Sequence, residues 1–385
     1  MTTISLTTII ISAVTVLLAL LGALVGPFLR SLDFTDAEEA SPEDTPQTEP
    51  LTVLITANDE LPELERSLPL FLTQKYGAPY QVIVVCQSTD RETQDYLKRM
   101  TAEYPHLYFT FIPESSRYMS RKKLQITLGV KAALHEWIIV TEPTCQPTDD
   151  QWLAAMSRQC REPNHLVLAF VGLDEETRGV RRFEQIRKAY YLLRRAQHSY
   201  GYRSHMANIA FRKSDFLREQ GYQGNLELVR GEYDFLVNKY AACGTTAVEL
   251  SPAARLTEME PTDKEWHNRR LYLYASLPTL SRSGSMRLLM FFDHLLPHLS
   301  LLVSLGVLAI GILQQDWILT AAAALGLMLL LVVRTLMARR AVSRFDEELG
   351  TLMLPLYELG IIWRNLAGRL RYLRADKTDF TSHKL

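Results

Sequence analysis

The apolar residues of this chain are segregated, and that segregation limits what it can fold into. Residues 1–29 contain no charged side chain, and Thr7–Leu29 is apolar but for Thr7, Thr8, Ser12 and Thr15. Crossing a bilayer takes about 20 apolar residues, so this run is long enough. Leu295–Leu313 and Trp317–Val333 are two more runs of spanning length, separated only by Gln314-Gln315-Asp316. They read as a helical hairpin. The first run lacks the basic start and small-residue cleavage site of a secretory signal, which makes it a retained anchor. The long segment between the anchor and the hairpin then needs a core of its own beside the membrane.

Basic residues near span ends set orientation. Arg30 follows the first run, Arg282 and Arg287 precede the second, and Arg334, Arg339, Arg340 and Arg344 follow the third. The hairpin loop carries none. The pattern predicts an external N-terminus, with the central domain and the C-terminal tail cytoplasmic. A net charge of −1 gives no footprint for nucleic acid. Cys86, Cys145, Cys160 and Cys243 form no C-x-x-C pair, and three of them lie in apolar or strand-like contexts that read as buried free thiols.

The expected organisation is an anchor (1–30), an acidic linker rich in Pro and Thr (31–50), a globular domain (51–285), the hairpin (286–338) and a basic amphipathic tail (339–385). Within the tail, residues 349–363 read as an interfacial helix, with a fourth crossing as the alternative. From Leu51 onward, β-branched runs alternate with amphipathic segments: LTVLITA (51–57), QVIVVC (81–86), LYFTFI (107–112), WIIVT (137–141) and LVLAFVG (166–172) are the expected strands. Continuous apolar strands alternating with helices predict an α/β fold with a mostly parallel sheet. Ligands of such sheets bind at the carboxyl ends of the strands, which points to Thr56–Glu60, Cys86–Asp90 and Glu142–Thr144.

Several residues there have two readings. Asp59 and Glu60 suit a helix N-cap turn. Lys122 lies in a basic loop ahead of a helix over Leu124–Leu134, where a solvated role is equally natural. Glu142-Pro143-Thr144 ends a buried strand. Glu232 and Asp234 suit a helix N-terminus, and since residues two apart on a helix face different ways, only one of them can serve a given site. Arg178–Arg195 reads first as a solvated helix face. His294 and His298 read as polar residues at a membrane entry rather than metal ligands.

Four segments in order carry a resemblance: TVLITANDELPELERSL, VIVVCQSTD, KKLQITLGVKAALHEWIIVTEPTCQP, and NIAFRKSDF followed by GEYDFLVNK. Residues 51–270 resemble the family 2 glycosyltransferases of the GT-A (Rossmann-like) fold, and the three apolar runs fit their membrane-attached bacterial members, which places the chain in the cell's inner membrane. The resemblance implies a nucleotide-sugar donor and a lipid-linked or glycan acceptor beside membrane lipids, with inverting transfer. It assigns Ala57, Glu60 and Gln87 to the nucleoside, and Lys122 to the charge of the leaving diphosphate. Glu142 and Thr144 stand at the Asp-x-Asp motif, with Glu142 a weak ligand for Mg²⁺ or Mn²⁺. Glu232 or Asp234 is the base, since Tyr233 occupies the position of the family's Asp. Arg269 and Arg270, near Trp266, are further diphosphate contacts. Because the Asp-x-Asp and Glu-Asp motifs are both altered, the alternative is an inactive homologue that binds nucleotide sugar or glycan and scaffolds a membrane complex.

Overall fold

The computed structural model describes residues 5–34, 49–113, 119–204, 206–242, 244–281, 284–345 and 347–381. Most of the acidic linker, Arg282 and Cys243 lie outside these residues. The chain divides into two compact units. One comprises Met1–Ser31, Gly179–Tyr190 and Ser283–Ala367; the other comprises Leu32–Arg178, Tyr191–Arg282 and Gly368–Leu385.

In chain order, α1 (Leu6–Leu24) precedes β1 (Leu51–Thr56), α2 (Leu61–Leu72), β2 (Tyr80–Gln87), α3 (Arg91–Glu103), β3 (Leu107–Ile112), α4 (Arg121–Ala132) and β4 (Trp137–Thr141). Next come β5 (Cys145–Pro147), α5 (Trp152–Ser157), β6 (Leu166–Ala169), β7 (Val171–Leu173), α6 (Gly179–His198), β8 (Ile209–Arg212) and α7 (Lys213–Arg218). The rest is α8 (Glu232–Tyr240), β9 (Thr246–Glu249), β10 (Leu256–Glu258), α9 (Asp263–Ser276), α10 (Gly284–Leu313), α11 (Trp317–Ser343), α12 (Leu354–Arg374) and α13 (Thr378–Thr381).

The second unit is built on a seven-stranded sheet of order β3-β2-β1-β4-β8-β6-β9. Strands β1 to β4 run parallel, β6 and β9 run parallel to each other, and β8 runs antiparallel to both β4 and β6. A three-stranded sheet, β5-β10-β7, lies beside it in the chain path. All six residues of β1 are buried, as expected where helices cover both faces of a sheet. The expected strand over 166–172 breaks at Phe170. Its halves join different sheets: β6 pairs with β8, and β7 with β10.

Two expectations about charged helices are corrected. Arg121, Lys122 and Lys123 do not form a loop but the first turn of α4, capped by Ser120, whose Oγ accepts from the Lys123 N–H at 3.4 Å. Lys122 and Lys123 are buried there. Gly129 allows this helix to lie close on the sheet, since a Cβ at that position would fall 2.2 Å from Leu54 Cδ1. The basic stretch of α6 is not a solvated face either, because Arg181 and Arg187 are buried.

Three helices are long and apolar enough to cross a membrane: α1, α10 and α11. All belong to the first unit. Small residues let them approach. A Cβ on Gly22 would meet the Leu296 carbonyl and Ser300 Cβ at 3.1 Å, and one on Gly326 would meet Ala19 Cβ at 3.3 Å. Asp316 closes the hairpin by accepting the Ile318 and Leu319 N–H groups of α11.

Near the C-terminal end of α1 the same unit holds a buried ionic node. Arg334 of α11 donates to Asp293 of α10 at 3.0 Å, to both Glu358 oxygens of α12, and to the Gly22 and Val25 carbonyls at 2.7 Å each. Arg187 of α6 makes a second ion pair with Asp293. Two arginines and two carboxylates balance, the condition under which buried charge is tolerated. His294 and His298 face backbone carbonyls, of Met290 and Leu359 respectively.

Candidate active site

The parallel strands β1, β2 and β4 end on one side of the sheet, and the chain leaves each through polar residues. β1 exits into Ala57-Asn58-Asp59-Glu60, with Asp59 in the left-handed region (φ 55°). That turn brings Glu60 Oε2 to the Asn58 N–H at 3.2 Å, and the Glu60 side chain makes no capping bond to α2. Glu60 thus occupies the N-cap position of α2, as expected, without capping the helix through its side chain.

Side-chain amides lock the ends of β1 and β2 together. Gln125 of α4 donates to the Ala57 and Val85 carbonyls at 2.8 and 3.0 Å and accepts from Asn58 Nδ2 at 3.0 Å. Gln87 donates to Asn58 Oδ1 at 3.3 Å and accepts from Arg121 at 2.9 Å. Ala57 is fully buried and contributes only backbone. Asn58 lay in the Thr56–Glu60 turn at the end of the first strand but had no role of its own in the sequence reading, while Arg121 and Gln125 were not singled out and their residue types gave no signal there.

Opposite this lattice lies a cluster of charges. Lys122 is ion-paired with Glu142, the first residue beyond β4, and its ammonium lies 5.5 Å from the Tyr233 ring centroid. Burial disfavours charge on both partners of the pair, but their mutual attraction holds Glu142 well below the usual carboxylate range and raises Lys122, which also feels Glu232. Burial pushes the Glu60 carboxyl up to about 7, only partly opposed by Lys122. Burial likewise drives the Tyr233 hydroxyl well above its ordinary value, so it cannot act as a base near neutrality.

Glu232 opens α8 behind Gly231, whose φ of 93° suits glycine and whose Cβ would fall 3.1 Å from Ser276 Cβ. It is 4% exposed, and its Oε2 has no hydrogen-bond partner among the described residues. Asp234 turns to a different neighbour, Arg203, at 4.0 Å. The structure thus brings Glu60, Lys122, Glu142 and Glu232 together and points Asp234 at another charge.

Of the two expected diphosphate arginines, Arg269 is held as a fork on the buried carboxylate of Glu258. Arg270 packs against the position of Gly368, whose Cβ would meet Arg270 Cδ at 3.3 Å. Arg269 still exerts its charge on Glu142, and a second arginine acts on the cluster as well. Arg230 is exposed, lies 5.9 Å from the Tyr272 ring centroid, and exerts its charge on Glu60, Lys122 and Glu142. Its place just before Gly231-Glu232 was the available sequence signal. The loop leading to it is pinned by the buried Lys123, which donates to Asn225 Oδ1 at 2.8 Å and to the Leu228 carbonyl at 2.6 Å.

A divalent cation suits these residues poorly. Mg²⁺ and Mn²⁺ sites use one or two carboxylates with phosphates and water. The carboxylate here already holds an ammonium, and Thr144 offers only a neutral hydroxyl. A doubly charged ion about 4 Å from Lys122 would meet repulsion on the order of 8 kcal/mol at an effective dielectric near 20. Among the described residues no group of three or more His, Cys, Asp or Glu is arranged to hold a metal ion.

At the level of sequence, no family model and no curated protein matches the chain. Solved structures do. The mannosyltransferase PcManGT from Pyrobaculum calidifontis, determined with GDP-Man and Mn²⁺, superposes over 95% of this chain and 97% of its own with a TM-score of 0.55 at 17% identity. TarS of S. aureus, determined with UDP-GlcNAc, covers 77% of this chain and 89% of its own at 12% identity, and its TM-score of 0.41 carries no weight. The chain shares the fold of the mannosyltransferase over nearly the full length of both.

Proposed function

We propose that this protein is a membrane-bound glycosyltransferase of the GT-A, family 2 type, moving a sugar from a nucleoside diphosphate donor to a lipid-linked or glycan acceptor. The unpartnered, buried carboxylate oxygen of Glu232, beside the Lys122 ammonium at the carboxyl ends of the parallel strands, carries this reading. In an inverting displacement the acceptor oxygen bonds to the anomeric carbon as the bond to the diphosphate breaks. Glu232 takes the hydroxyl proton, and Lys122 and Arg230 face the charge that develops on the leaving group. Tyr233 cannot be the base and Asp234 lies against Arg203, so Glu232 is the base of choice. We place the second unit's active face at the cytoplasmic side of the inner membrane, with α1, α10 and α11 as spans.

One observation favours an inactive, nucleotide-binding scaffold instead. The Lys122–Glu142 pair closes on itself at the position where the resembled family holds its metal and diphosphate. Donor turnover by the full chain in detergent, across UDP- and GDP-sugars, separates the two readings. Wild type should release nucleoside diphosphate, and Glu232→Gln should slow release by about 10²–10⁴. Nucleotide binding without turnover by wild type on any donor would sink the enzyme reading.

A further inference from the structure

We propose, on the basis of the function argued above, that donor diphosphate binding here is independent of metal, with the Lys122 ammonium in the role a divalent cation plays in metal-using transferases. Three observations converge on this. The ammonium is in direct contact with Glu142, the carboxylate a metal ion would need. The second ligand position is Thr144, a neutral hydroxyl, so the two motif positions beyond β4 supply one carboxylate, Glu142, and that carboxylate is already met by the ammonium. Lys122 and Arg230 both bear on the same cluster and provide fixed positive charge without an ion.

The ammonium is also held in place, as a charge stabiliser has to be. Gly129 sets α4 close on Leu54, the Tyr233 ring lies within cation–π distance, and the Ser120 cap fixes the first turn. Lys123, next along, ties that turn to the loop carrying Arg230 through Asn225 and Leu228. An ammonium has three donors. One goes to Glu142, which leaves two for phosphate oxygens. Arg230, exposed at the edge of the cluster, adds a planar fork suited to a second phosphate.

The test is isothermal titration of UDP and GDP into the full-length protein in detergent, in EDTA and in excess Mn²⁺. Binding of the preferred nucleotide should differ by less than about threefold between the two conditions, and Lys122→Met should weaken it by about tenfold or more. Lys131→Met, an exposed lysine on the same helix, should bind as wild type. Glu142→Gln removes the carboxylate while keeping its shape. It should bind nucleotide at least as well as wild type, because the ammonium is released to the phosphates. A threefold or greater tightening of wild type by Mn²⁺ that Glu142→Gln abolishes would overturn the proposal. Failure of either nucleotide to bind under any condition would instead remove the functional reading on which it rests.

Discussion

Lys122 and Glu142 offer the sharpest test of the site's electrostatics, because both are largely buried and each has secondary partners. Their side chains are 8% and 16% exposed. Breaking a buried ion pair by removing one member typically costs about 3–5 kcal/mol, since a charge is stranded out of water. Here the stranded charge is partly met: Lys122 keeps Glu232 and Glu60, and Glu142 keeps Arg269 and Arg230. We therefore expect Lys122→Met and Glu142→Gln each to cost about 2–3 kcal/mol, below the usual range. The double variant strands neither charge and should cost only about 1 kcal/mol, so the coupling between the sites is on the order of 3–5 kcal/mol. For a unit of this size 1 kcal/mol shifts Tm by about 2–4 °C, giving losses of about 4–12 °C for each single variant and about 2–4 °C for the double. Thermal unfolding of the four proteins in one detergent, followed by circular dichroism, measures the cycle. If the double variant lost as much as the two singles together, the pair would not be coupled and the arrangement of charges described above would be wrong.

Two further outcomes follow from groups outside that pair. Glu60 has a folded pKa of about 7, above its ordinary 4.5, so the folded state holds a proton that the unfolded chain has released. Its contribution to stability is full below about pH 4.5 and is lost as pH rises through about 7. The slope of Tm against pH across that window should therefore be shallower in Glu60→Gln than in wild type; identical slopes would refute the assignment. In the first unit, Asp293→Asn leaves Arg187 and Arg334 sharing Glu358, a loss of about 3–5 kcal/mol. Size-exclusion chromatography in detergent should show loss of the monodisperse peak, and an unchanged profile and Tm would argue against the node as a structural element.

The sequence showed the three apolar helices and β1 to β4, because continuous apolar runs and their spacing are local signals, and it pointed to the strands' carboxyl ends as the place where a site is expected. It showed less of what depends on distant partners. β8 reverses direction in the middle of the sheet, and nothing in Ile209–Arg212 announces that. Phe170 divides a single apolar run between two sheets. Lys122 and Lys123 looked like loop residues because lysine is usually solvated, yet Ser120 caps them into a helix and partners 20 and more than 100 residues away bury them. The arginines were hardest to place. Arg269 and Arg270 stood in the expected region, but Glu258 holds the first and Gly368 lies against the second, while Arg230 bears on the cluster.

The node around Arg334 also has a consequence for how the protein is made. Arg334 satisfies the carbonyls of Gly22 and Val25 across 312 and 309 residues of sequence. α1 precedes α11 in the chain, so its closing hydrogen bonds must wait until the segment as far as Arg334 has emerged. Asp293, deeply buried in the finished protein, has Arg187 from earlier in the chain but gains its second arginine only then. In a low-dielectric setting, unsatisfied carbonyls are costly. A chain stopped before Arg334 therefore leaves the carbonyls at the end of α1 without the partner that seals them, and the node closes only once α11 has been made.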